Sequence, residues 1–169
     1  MLKRFMISLF ALMGLWGTQV QATHYMGANL YYDCLANDTI ELYVSTYYDC
    51  LGAAIQAYYP FNSTNPPPTP TVNFTGLNSP TCVPPIPING WRSIHFVDIT
   101  PVCPGTITGC NSPSRQAAIN GTVESIYVGD FDFASTNCSH YEVEWSSCCR
   151  NSIITSGAAN EAIWIGGLV

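Results

Sequence analysis

Between Thr39 and Cys50 the chain reads TIELYVSTYYDC, with apolar residues on every second position. Ile40, Leu42, Val44, Thr46 and Tyr48 share one face, and Glu41, Tyr43, Ser45, Tyr47 and Asp49 share the other. Successive side chains of an extended backbone leave on opposite sides, so this pattern describes a strand with one buried and one wet face. Parity carries Cys50 to the apolar side. The same period runs through the rest of the chain: ANLYYDC, which groups Leu30, Tyr32 and Cys34, then TVNFTGL, WRSIHFVDI, TVESIYVGDFDF, HYEVEWSSCC and AIWIGGLV. Leu35-Ala36-Asn37-Asp38 supplies a turn between the first two runs, because Asn and Asp tolerate left-handed backbone. No helical periodicity of useful length follows the leader, so the expected class is all-β, an antiparallel two-sheet sandwich of immunoglobulin-like type stapled by disulfides.

The first 22 residues stand apart. A basic MLKRF, an apolar MISLFALMGLWG and a small-residue Val20-Gln21-Ala22 form the layout of a secretory signal peptide, too short for a membrane span. The expected organisation is therefore a signal peptide over 1–22 and one all-β extracellular domain over 23–169, its last strand cut off at IWIGGLV. Cleavage removes Lys3 and Arg4, leaving Arg92, Arg115 and Arg150 against eleven acids, a formal net charge of −8. Such a surface is a poor partner for nucleic acid or anionic lipid. No later apolar stretch reaches spanning length, so no membrane insertion of the mature fragment is expected. Nine of the twelve prolines lie between positions 60 and 87. Proline fixes φ and removes a ladder donor, so 60–70 and 80–88 read as extended loops covering a sheet edge rather than as a recognition motif.

All eight cysteines (Cys34, Cys50, Cys82, Cys103, Cys110, Cys138, Cys148 and Cys149) fall in the exported part. An even count in an oxidising compartment indicates disulfides. The doublet Cys148-Cys149 lies at the end of a strand in which Tyr141, Val143 and Trp145 share the face of Cys149. Neighbours in a strand point apart, so the doublet should stitch two different places. There is no C-x-x-C, and His24, His95 and His140 have no ligand-like spacing, which argues against a metal or redox pair. The expected scheme joins Cys34 and Cys50 to the doublet, one each, and Cys103 to Cys110 across PGTITG. Closing that short loop would contribute roughly 2.5 kcal/mol. Cys82 and Cys138 remain for each other. A bond from Cys50 to Cys149 would also place Asp49 beside Arg150, a candidate ion pair.

Function is less constrained. No G-x-S-x-G, H-E-x-x-H or phosphate loop occurs, so neither an enzyme nor a bound cofactor is expected. Asp130 and Asp132 in GDFDF have the spacing for calcium ligands or glycosidase carboxylates, but read more simply as the wet side of a strand. Tyr43 and Tyr47 share an outward face on which sugar rings could stack, or which a neighbouring domain could cover. Five N-x-S/T sequons, at Asn37, Asn62, Asn73, Asn120 and Asn137, would carry glycans in a eukaryotic secretory route.

Three segments, ATHYMG at the mature start, YYDC followed by YVSTYYDC, and WSSCCRNSIIT, together resemble the N-terminal module of large secreted, cell-surface proteins of the Bacteroidota. Such proteins commonly continue into β-sandwich domains of the polycystic-kidney-disease type. They often end in a gliding-motility-associated sorting domain read by the type IX secretion system. The resemblance covers most of 22–169 and departs where Tyr48 stands in place of an arginine. It implies a non-catalytic structural or adhesive module, partnered by downstream domains of its own chain and, as an alternative, by surface glycans or other surface proteins.

Overall fold

In a computed structural model the described residues are 25–77, 81–111, 119–147 and 163–168. They form strands β1 (Tyr25–Cys34) and β2 (Thr39–Asp49), one helical turn α1 (Ala53–Gln56), then β3 (Val72–Gly76), β4 (Ile86–Pro87), β5 (Arg92–Asp98), β6 (Thr122–Asp132), β7 (Tyr141–Ser147) and β8 (Ile163–Leu168). A five-stranded sheet runs β1-β2-β6, with β5 and β4 sharing the far edge of β6, and a three-stranded sheet runs β3-β7-β8. Every strand pairing is antiparallel. The architecture is an all-β sandwich.

The local chemistry of the first hairpin explains its register. Asn37 and Asp38 take φ values of 60° and 54°, the left-handed geometry these two side chains tolerate best. The turn sets Cys34 opposite Ile40, and the pairing runs from there to Tyr25 opposite Tyr48. β2 then pairs with β6 along its whole length, from Thr39 opposite Asp132 to Asp49 opposite Thr122. This central pair is the spine of the larger sheet.

Parity places the core as the alternation requires. Ile40, Leu42, Val44, Thr46 and Tyr48 are all buried, as are Tyr141, Val143 and Trp145 of β7. At one end Ile40, Leu42, Phe131 and Val143 pack together with Leu30, Val72 and Phe74. In the middle Val44 meets Trp145. At the other end Tyr48, Cys50, Ile55, Phe96, Cys110 and Val123 form a separate cluster, completed by Tyr58 and Phe61. Leu30 joins the core from β1, whereas Tyr32 and Cys34, of the same parity, are exposed. Gly129 matters here, because a Cβ would come 3.0 Å from Trp91 Cε3 and 3.1 Å from Phe131 Cε2. The missing side chain makes room for the indole.

The proline-rich segments lie against the sandwich. Buried Tyr127 donates to the Pro67 carbonyl at 2.5 Å, and buried Tyr141 donates to the Val83 carbonyl at 2.6 Å. Each loop is thus held by a donor from a strand, which suits segments whose prolines accept but cannot donate. Further on, Ile86 and Pro87 pair with Asp132 and Phe131, extending the edge of β6 beyond β5.

Among the described residues two disulfides staple the fold. Cys82 bonds Cys138, with Cα atoms 5.6 Å apart, and Cys50 bonds Cys110, with Cα atoms 4.9 Å apart. The second bond corrects the expected scheme: Cys110 is not closed onto Cys103, and Cys50 is not a partner of the doublet. The reason is tertiary. Gly109 N–H donates to the Ile119 carbonyl and Cys50 N–H to the Gly121 carbonyl, which brings the end of the 99–121 loop beside the end of β2. Cys110 then turns inward to buried Cys50, while Cys103 stays exposed and unbonded. Cys34 is likewise exposed and unbonded, contrary to its expected link to the doublet. Both bridges rest on glycine: a Cβ on Gly121 would collide with the Cys110 sulfur, and one on Gly76 with the Cys82 sulfur. Cys148, Cys149 and Arg150 lie outside the described residues.

Candidate functional site

The outward face of the five-stranded sheet carries the ion pairs of Arg92 and His95 and a stacked pair of tyrosines. Registers across β1, β2, β6 and β5 set Tyr31, Tyr43, Val128 and Arg92 in one row. The adjacent row holds Asp33, Glu41 and Asp130. Two rows further along, past Ser45, come Gly27, Tyr47, Glu124 and Val97.

Arg92 links the first two rows. Its guanidinium contacts Glu41 Oε1 at 2.5 Å and Asp130 Oδ2 at 2.9 Å, and Asn89 adds an amide donor to the same Asp130 oxygen at 3.2 Å. Glu41 also accepts the Tyr43 hydroxyl through its other oxygen. The charges tune one another. Arg92 and then Asn89 hold the Asp130 carboxyl below the usual carboxylate range against the opposing effect of burial, and Asp130 raises Arg92 in return. The hydrogen bond to Glu41 pushes the Tyr43 phenol up to about 12. Asp130 Oδ1 is buried with no hydrogen-bond partner. These contacts identify Asp130 as the partner of an arginine, and Asp132 is engaged locally, accepting the Ala134 N–H at 2.8 Å. Nothing in this arrangement pairs the two carboxylates.

The tyrosines lean toward the edge strand. Tyr43 stacks on Tyr31 with ring centroids 4.6 Å apart and planes within 8°. Tyr47 packs over Gly27, whose Cβ would stand 3.8 Å from its ring, and its hydroxyl receives the Asn29 amide at 3.3 Å. Burial, then a hydrogen bond to Glu124, raises the Tyr47 phenol. Both tyrosines singled out by parity therefore face outward, but only Tyr43 belongs to the charged network. Tyr31, Glu41 and Arg92 were not singled out, because strand alternation fixes a face and not a register.

Asp49, the other member of the candidate ion pair, is buried; it accepts the Leu51 N–H at 2.9 Å and the Asn120 amide at 3.3 Å. The bond that was to bring Arg150 beside it goes instead to Cys110, so that premise falls. His95 lies on β5 facing Glu124 at 3.3 Å, and His140 contacts the Ser139 hydroxyl at 2.8 Å. A second concave feature, a cavity of about 360 Å³, opens between the sheets beside Tyr25, Tyr48, Tyr58, Tyr127 and Trp145. Its aromatic walls use their hydroxyls on one another or on backbone: Tyr48 to Tyr25 at 3.3 Å, Tyr127 to Pro67.

Comparison of the chain with protein families, with characterised proteins and with solved structures finds no match. Among the described residues no helix is long and apolar enough to cross a membrane. The disulfides indicate an oxidising environment.

Proposed function

We propose that this chain is a secreted or cell-surface structural and adhesive module of a larger extracellular bacterial protein, with no catalytic role. The observation that carries the reading is the pair of disulfides, each seated over a glycine whose missing side chain makes room for sulfur. Such bonds persist only where thiols stay oxidised. They fasten connecting segments to one another: the end of β2 to the loop before β6, and the β3–β4 loop to the β6–β7 loop. The signal-peptide layout of residues 1–22 and the resemblance to surface modules of the Bacteroidota point the same way. On this reading the partners are further sandwich domains of the same chain.

The reading is tested by expressing the chain with its first 22 residues in a bacterium that has an oxidising envelope. The expected product starts at Thr23, is recovered outside the cytoplasm, and yields Cys50–Cys110 and Cys82–Cys138 peptides on non-reducing mapping. Recovery of a stably folded, unprocessed chain with reduced cysteines in the cytoplasm would defeat it. Reading the downstream frame in the source genome tests the larger architecture, which requires repeated sandwich domains after Val169.

A further inference from the structure

We infer that the outward face of the five-stranded sheet binds a neutral glycan, stacked on the Tyr31 ring that Tyr43 backs and hydrogen-bonded by Arg92 and Glu41. This goes beyond the structural reading, since a module that only holds its place needs no such array.

The aromatic half of the site is the Tyr31 ring, backed by a second ring. Tyr43 backs Tyr31 in near-parallel stacking, and Tyr31 lies on the edge strand with 45% of its surface exposed. An aromatic plane with a polar tip suits a sugar ring, whose axial C–H bonds pack on the π-face while its hydroxyls stay wet. The backing ring fixes the platform before any ligand arrives, so little conformational freedom remains to be lost on binding.

The polar half supplies the directional contacts. Arg92 carries five N–H donors and spends two of its nitrogens on Glu41 and Asp130, while 46% of its side chain remains exposed. The Glu41 side chain is 21% exposed beside the Tyr43 ring, and its oxygens can accept beyond the bonds they already make. Asp130 serves from below: its Oδ2 takes Arg92 and Asn89, which holds the guanidinium in place, and its Oδ1 is buried. Fixed carboxylate and guanidinium groups next to an aromatic plane match the alternating donors and acceptors of vicinal hydroxyls. Every member stands on a strand of the sheet rather than on a loop, which holds their spacing.

The charge of the face selects the class. Asp33, Glu41, Glu124 and Asp130 outnumber Arg92, and Arg92 is already matched by two of them. A uronate or sulfated polymer would be repelled. A covering protein domain would instead want the face apolar at its centre, whereas here Val128 and Ile126 are flanked by Arg92, His95, Glu124 and Asp130.

Affinity electrophoresis of the mature, oxidised protein through gels containing a mixed-linkage β-glucan, a xylan or a galactomannan, with alginate as the anionic control, tests this. Retardation by at least one neutral polymer and none by alginate is expected. Tyr31→Ala should weaken that binding at least tenfold, about 1.4 kcal/mol. Arg92→Gln should weaken it comparably, and Tyr32→Ala, on the opposite face of β1, should leave it unchanged. Tyr31→Thr, which keeps strand propensity, replaces Tyr31→Ala if the latter fails to fold. Retardation by none of the neutral polymers overturns the inference, as would be the case if the face served a protein. So does retardation by alginate, or undiminished binding by the Tyr31 variants. Absence of binding by the unsubstituted protein with both disulfides intact removes this inference alone and leaves the structural reading standing.

Discussion

Replacing Cys50 and Cys110 together by alanine removes a bridge whose ends are 60 residues apart and whose sulfurs lie in the core. Constraining a loop of that length in the unfolded chain contributes about 4 kcal/mol on the chain-entropy model. For a domain of this size that corresponds to roughly 8–16 °C in Tm. Single variants sharpen the test. Cys50→Ala should cost most of the 4 kcal/mol, while Cys103→Ala, at an exposed unbonded thiol, should cost almost nothing. If Cys103 instead closed the short loop to Cys110, Cys103→Ala would cost roughly 2.5 kcal/mol and Cys50→Ala far less. Urea unfolding followed by far-ultraviolet circular dichroism, on protein checked for free thiols, reads both numbers. A Cys50→Ala variant within 1 kcal/mol of the parent, with Cys103→Ala destabilised by 2 or more, would refute the pairing and the loop geometry behind it.

Other consequences are equally direct. Gly76→Ala should block the Cys82–Cys138 bond, read as two additional titratable thiols per chain; a fully oxidised variant would contradict the packing of sulfur over that glycine. Gly129→Ala forces Trp91 and Phe131 off their rotamers and should destabilise by about 1–3 kcal/mol in urea, against no change if the indole can retreat freely. Tyr127→Phe leaves the buried Pro67 carbonyl without its donor and should cost about 1–3 kcal/mol. Tyr43 is raised from 10.0 to about 12 in the folded chain, so its contribution to stability is fully present below pH 10 and is lost as pH rises from there to about 12. Phenolate absorbance should show Tyr43 ionising late together with Tyr47, Tyr48 and Tyr127, and Glu41→Gln should return one tyrosine of that set to the ordinary range.

The strands were legible because alternation is a local signal. β2 and β7 bury every residue that parity assigns to the core, and the left-handed Asn37-Asp38 turn follows from side-chain chemistry alone. The disulfide of Cys50 was not legible. Its partner is decided by where the 99–121 loop lands after β6 has paired with β2, and sequence nearness favoured the wrong cysteine. The outward site was half legible for the same reason. Parity put Tyr43 and Asp130 on a wet face, but only the register of three strands shows that Arg92 reaches both Glu41 and Asp130. A face can be read from one strand, whereas a site needs several strands aligned.

The two bonds cross in chain order, 50 to 110 and 82 to 138, and this interleaving has a topological consequence. Any single backbone scission between Cys50 and Cys138 leaves both fragments covalently joined, because at least one bond spans every peptide in that interval. Pulled from its ends, the same interval cannot pay out its full contour of 88 residues, on the order of 300 Å. The shortest covalent path runs through the Cys50–Cys110 bond and the 28 positions that separate Cys110 from Cys138, roughly 95 Å. Even with every strand undone, a tether built on this chain would stretch only part way.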